Sequence, residues 1–212
     1  CIDRAGIVGA DGETHHGVFD ISYLISMPNL IFFAPSDRRE LEEMLAFAVS
    51  FDGPIAIRYP RGSAHQGLRE YQAPVEYGRS EIIRKGKKIA VLGVGSMIPS
   101  CMEICKGLKD DGYDPTFVNA RFVKPLDVDL LDELAKDHSL FVTVEENVKS
   151  GGYGEHVSAY MEACHPEIRV LSAAVWDRFV PQGNVESLRS RIGLGEEDIR
   201  QAIEDSEELR EQ

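Results

Sequence analysis

Between Arg4 and Asp20 the sequence sets one arginine, two adjacent histidines (His15 and His16) and three carboxylates among four glycines. A glycine-rich polar loop lets backbone approach a ligand closely. Histidine there moves protons near neutral pH, and arginine grips a phosphate or carboxylate with two parallel hydrogen bonds. Further along, Arg58 and Arg61 leave one apolar run, and Glu145-Glu146-Asn147 close another. A plain surface turn has a similar composition, so the meaning of these residues depends on the elements that position them.

Those elements alternate. Ile21 to Met27 reads as a short helix that Pro28 breaks, and Asn29 to Ala34 as a strand buried on both faces. Pro35-Ser36-Asp37 opens a helix, with Asp37 and Glu40 spaced as a capping box. Leu41, Met44, Leu45, Ala48 and Val49 recur at the helical period, which predicts one apolar face. Ile55 to Tyr59 is a further strand, closed by Pro60-Arg61-Gly62. Residues 63–75 carry no strong period and read as a connection.

Beyond it, strands are expected within 76–84, 88–93, 116–119, 140–144 and 168–173. Helices follow Ser96, Asp127 and Gly154, and two short ones end the chain. Gly93 and Gly95 form a strand–glycine–helix turn without the full G-x-G-x-x-G fingerprint, so close backbone packing is expected there rather than nucleotide binding. Alternating strands and helices give an α/β chain with a largely parallel sheet. The expected division is 1–66, a connection at 67–75, and 76–212. The first unit has few strands and is expected to leave a sheet edge unpaired, making it the weaker part. The opening Cys1-Ile2-Asp3-Arg4 reads as the end of a strand already under way, so the sequence is expected to start inside a domain.

The net charge of −13 argues against general nucleic-acid binding and against attraction to an anionic membrane. Much of the excess is local: from Gly193 onward, eight acids face two arginines. No apolar run has the length of a membrane span, and no signal-peptide pattern opens the chain. The cysteines at 1, 101, 105 and 164 show no zinc or redox spacing. Cys101 and Cys105 are expected to face the core. A reduced, cytoplasmic setting follows as an expectation.

Six segments together resemble the 1-deoxy-D-xylulose 5-phosphate synthase family of the transketolase superfamily. They are Asp11-Gly-Glu-Thr-His-His-Gly-Val-Phe-Asp20, Ala34-Pro-Ser-Asp37, Arg58-Tyr-Pro-Arg-Gly62, Arg121-Phe-Val-Lys-Pro-Leu-Asp127, Val142-Thr-Val-Glu-Glu-Asn147 with Gly151-Gly-Tyr-Gly154, and Phe179-Val-Pro-Gln-Gly183. Order and spacing match the C-terminal third of such enzymes from residue 1 to about residue 195. The resemblance implies the end of a pyrimidine-binding domain (1–66) followed by a transketolase C-terminal domain (76–212). It implies a transferase of isoprenoid, thiamine and pyridoxal precursor synthesis, dependent on thiamine diphosphate and magnesium. That enzyme condenses pyruvate with D-glyceraldehyde 3-phosphate, releasing carbon dioxide, and works as a homodimer.

Roles carried over with the resemblance are specific. His15 matches the active-site histidine and Asp11 an active-site aspartate that orients His15 or contacts substrate. Arg4 and Arg61 match the arginines that hold the substrate phosphate. His16 is expected to be a bystander or support, Glu13 solvated, Arg58 a structural ion pair, and Glu145, Glu146 and Asn147 structural. The family's Gly-Asp-Gly diphosphate motif and its pyrimidine-contacting glutamate have no match in these residues. The chain alone is therefore expected to bind no cofactor and to be inactive. Two alternatives stay open: a non-catalytic binding or assembly module, and one subunit of a split transketolase-like or oxoacid dehydrogenase enzyme.

Overall fold

A computed structural model describes residues 1–66 and 73–206. The elements run α1 (Asp20–Leu24), β1 (Ile31–Phe33), α2 (Arg38–Ser50), β2 (Ile55–Ile57), β3 (Glu81–Arg84), β4 (Lys88–Gly93), α3 (Ile98–Asp110), β5 (Thr116–Asn119), β6 (Phe122–Lys124), α4 (Val128–Leu134), β7 (His138–Val148), α5 (Tyr153–Cys164), β8 (Arg169–Val175), α6 (Val185–Arg191) and α7 (Glu196–Glu204). Part of the expected connection, 67–72, lies outside the described residues, as does 207–212.

The larger sheet has the order β3-β5-β4-β7-β8, parallel except for β3 at its edge. Both faces are covered, so the centres of β4 and β7 are almost wholly apolar. Ile89 and Val91 of β4 pack with α3, α6 and α7, while Ala90 and Leu92 face α4 and α5. Cys101 and Cys105 are buried on the first of these faces; desolvation holds both thiols far from ionisation, with Cys105 pushed up to about 12. A side chain at Gly93 would meet Ile98 and Cys101, so this glycine serves the close approach of strand and helix.

The smaller sheet corrects two expectations. Its order is β2-β1-β6, so its third strand comes from residues 122–124 rather than from the N-terminal stretch. Phe33 and Phe122, with ring centroids 4.5 Å apart, fill the space between α2 and this sheet. The edge of β1 expected to be bare is therefore paired antiparallel with β6. The opening residues make only a bridge, Ile2 to Arg58 alongside β2. The two halves also share a core, since Ile21, Phe32, Ala34 and Ala56 pack with Leu92, Val118, Phe141 and Val157. Residues 1–66 and the described residues from 73 onward thus bury apolar surface against each other.

Helix α2 is set as expected at its start and differently along its face. Asp37 caps it, accepting the Glu40 N–H at 2.8 Å. Glu40 does not complete the box; its carboxylate turns inward to Ser36, Asn119 and Arg121. Leu41, Met44 and Ala48 of the expected face pack on the sheet and Phe47 joins them, whereas Leu45 is 40% and Val49 90% exposed. The helical period predicts a stripe, but the position of the sheet decides its centre.

Candidate functional site

The loop following Arg4 closes on itself. Gly6 and Gly17 exchange backbone hydrogen bonds of 2.8 and 2.9 Å, so everything between them projects as one compact loop. Gly6 has φ +74°, and a side chain there would collide with Glu146. At Gly17 a Cβ would strike the Arg4 carbonyl, so only glycine permits the closure.

Closure brings three of the four expected residues together. Arg4 Nε lies 3.3 Å from Asp11 Oδ2, and Arg61 Nη1 lies 2.8 Å from Asp11 Oδ1. Arg61 arrives from the segment after β2, and Arg4 from the stretch that bridges alongside it at Ile2 and Arg58. Two guanidinium groups thus converge on one acceptor at a partly exposed position, a geometry that suits an anion with several oxygens. Asp11 bonds these arginines, and among the described residues no hydrogen bond joins it to His15. His15 is exposed; its Nδ1 lies 2.9 Å from Thr14 Oγ1.

His16 points the other way and is buried. Its Nδ1 accepts the Val8 N–H at 3.1 Å, which fixes the neutral tautomer with the proton on Nε2, facing the Pro181 carbonyl at 3.3 Å. His16 therefore ties the loop to the segment after β8. Glu13 is exposed. Arg58 is spent on structure: its side chain is 2% exposed, pairs with Asp20 at 3.0 Å and donates to the carbonyls of Gly17 and Glu146.

The three polar residues at the end of β7 each hold a different element. Glu145 accepts the N–H groups of Tyr153 and Gly154 at the start of α5. Glu146 accepts from Ser96 Oγ and Arg189 Nε, both at 2.8 Å. Asn147 accepts the Ile21 N–H and donates to Ser22, fixing α1. Sequence reasoning missed Arg189 and the buried set Arg121, Glu40, Glu81 and Asn119, although Arg121 opens one of the six quoted segments.

Burial pushes the Glu145 carboxyl up to about 7, against the pull of the two N–H donors and of Arg58. Between about pH 4.5 and 7 the folded chain holds a proton there that the unfolded chain has released. Stability from this group is full below that window and falls as pH rises through it. Urea midpoints between pH 5 and 8 should therefore decline more steeply for the parent chain than for Glu145→Gln, by at most about 3 kcal/mol of differential stability. Parallel pH profiles would remove Glu145 as the titrating group.

Two family descriptions match this chain: "Transketolase, pyrimidine binding domain" over residues 1–66 and "Transketolase, C-terminal domain" over residues 78–199. The chain belongs to the transketolase family. Among curated relatives, the 1-deoxy-D-xylulose-5-phosphate synthase of Lachnoclostridium phytofermentans is 45% identical over 199 residues, covering 93% of this transketolase-family chain and 32% of the relative. The synthase of an Azoarcus species is 45% identical over 204 residues, covering 96% and 32%. The chain thus spans about a third of the length of these relatives.

A split-gene transketolase, described as an inactive beta4 tetramer, superposes with a TM-score of 0.85 at 27% identity, over 98% of this chain and 65% of that one. A Campylobacter jejuni transketolase shares the fold, with a TM-score of 0.75 at 20% identity, over 96% of this chain and 30% of that one. No helix among the described residues is long and apolar enough to cross a membrane.

Among the described residues no three His, Cys, Asp or Glu side chains are grouped to hold a metal ion. Arg4, Asp11 and Arg61 form a partly exposed cluster, and the loop that carries Asp11 also carries the exposed His15 imidazole.

Proposed function

We propose that this chain forms the C-terminal portion of a 1-deoxy-D-xylulose 5-phosphate synthase, a cytoplasmic transferase dependent on thiamine diphosphate and magnesium. It condenses pyruvate with D-glyceraldehyde 3-phosphate and feeds isoprenoid, thiamine and pyridoxal synthesis. The observation that carries this reading is the convergence of Arg4 and Arg61 on Asp11. In the clamp, both arginines hold the aldehyde's phosphate, and Asp11 keeps them in register when no substrate is bound. His15, free to face a ligand, passes protons to and from the substrate's hydroxyl and carbonyl oxygens. The division into a pyrimidine-domain segment (1–66), a connection (67–75) and a C-terminal domain (76–212) belongs to the same reading.

Self-association as a homodimer is part of it too. Phe19, Tyr23 and Met27 stand four residues apart and exposed, and Phe179 packs edge-on against Phe19 at 6.0 Å between centroids. Such a run of exposed apolar side chains suits an interface. The split-gene relative favours a second reading, in which this chain is one polypeptide of a two-chain transketolase-like enzyme. In either case the 212 residues on their own form no product, because nothing in them matches the family's diphosphate motif or its pyrimidine-contacting glutamate.

The test is a chimera in which this chain replaces the matching third of the Lachnoclostridium phytofermentans synthase. Deoxyxylulose phosphate should form from pyruvate and glyceraldehyde 3-phosphate, and the isolated chain should form none. A folded chimera that binds thiamine diphosphate yet makes no product would overturn the reading.

A further inference from the structure

A cleft of about 290 Å³ opens between the segment after β2 and the start of α6. Its volume sits at the small end of ligand sites. Three basic side chains line it, Arg61, His65 and Arg189, together with two acids, Asp37 and Glu146. The acids are already engaged. Asp37 caps α2, and both Glu146 oxygens accept hydrogen bonds, from Arg189 and Ser96.

The donors are not all engaged. His65 Nε2 is buried and has no hydrogen-bond partner. Arg189 uses only its Nε, so its terminal nitrogens have no hydrogen-bond partner among the described residues. Arg61 uses one terminal nitrogen, on Asp11. A buried nitrogen without a partner, such as His65 Nε2, is costly to leave so, and the open guanidinium nitrogens of Arg61 and Arg189 beside it favour a complement with negative charge. The remaining wall is apolar, with Leu41, Pro99 and Val185.

We propose that this cleft binds a small amphiphilic phosphate monoester. Arg61, His65 and Arg189 hold its head, and Leu41, Pro99 and Val185 hold its short apolar body. The ligand spans both halves of the chain. It also draws on Arg61, so its occupancy competes with the Arg61–Asp11 pair of the substrate clamp and gives the cleft a means of modulating that clamp. The binding site itself does not depend on the synthase reading.

The probe is n-butyl phosphate, titrated into the ¹⁵N-labelled full chain, with inorganic phosphate and n-butanol as comparisons. Saturable shifts should centre on the amides of Gly62, Ser96, Val185 and Arg189. Butyl phosphate should bind more tightly than inorganic phosphate, and butanol should not bind. Arg189→Gln should weaken binding at least about tenfold, as expected for loss of a charged hydrogen-bonding partner. Arg38→Gln, at an exposed pair with Glu42 away from the cleft, should leave it unchanged.

Should Arg189→Gln fail to fold, His65→Ala decides, since it removes a cleft donor without touching the Glu146 ion pair; several-fold weakening is expected. Absence of saturable shifts would overturn the proposal. So would shifts centred on Arg4, Asp11 and His15 that Arg4→Gln abolishes and the cleft variants leave intact. An inactive chimera with an intact cleft titration would sink the synthase reading alone.

Discussion

Arg121→Met should lower the unfolding free energy by about 3–5 kcal/mol, enough to endanger the fold. Arg121 is 2% exposed and sits with φ +50° between β5 and β6. Its Nε bonds Glu40 Oε1 and its Nη2 bonds Glu81 Oε2, both at 2.5 Å. Its remaining donors reach the carbonyls of Ala73 and Pro74 at 2.9 and 3.1 Å. One cation thus joins α2, β3 and the chain leading into β3. Methionine matches the stem but strands two buried carboxylates, and that loss exceeds the net worth of the pairing itself.

The variant's carboxylates would then take up protons more readily when folded than when unfolded. Its deficit should accordingly shrink as pH falls from 8 toward 5. Adding Glu40→Gln and Glu81→Gln should recover part of the loss, and urea unfolding of the three proteins measures this. A deficit under about 1 kcal/mol would mean that the buried cation is dispensable. Because β6 closes the smaller sheet, hydrogen exchange in β1 and β2 should accelerate before exchange in β4 and β7.

The second large effect concerns the clamp, measured in the active chimera. Arg61→Ala should raise the Michaelis constant for glyceraldehyde 3-phosphate by about 30- to 1,000-fold, as expected for about 2–4 kcal/mol of charged hydrogen bonding. Pyruvate has no phosphate, so its constant should hold. His15→Ala should act on turnover instead, lowering it by about 10²- to 10⁴-fold, because proton transfer belongs to the transition state. Arg61 is half exposed and its pairing with Asp11 is worth little to stability, so folding should survive the change. Equal impairment of both substrates by Arg61→Ala would return that residue to a structural role. Unchanged turnover in His15→Ala would take the imidazole out of the proton path.

The alternation of strands and helices was legible in the sequence because period and punctuation are local properties. A buried run such as Leu140–Val144, a cap such as Asp37 and a break such as Asp111-Gly112 each act within a few residues. The opposed directions of His15 and His16 also follow from local geometry. Other features were settled only by packing. Residues 122–124 form a strand because β1 offers an edge about 90 positions earlier in the chain. No period in three residues announces that. Arg121 reads as one more polar loop residue until Glu40 and Glu81 meet it from opposite directions. Leu45 and Val49 satisfy the helical stripe, yet the sheet lies against its Leu41, Met44 and Ala48 edge together with Phe47. Asp11 could equally have served His15, and only the closure of the loop through Gly6 and Gly17 sends it to Arg4 and Arg61. Sequence spacing fixes which residues share a face of one element; which faces meet, and which charges lose their water, depends on partners that tertiary packing supplies.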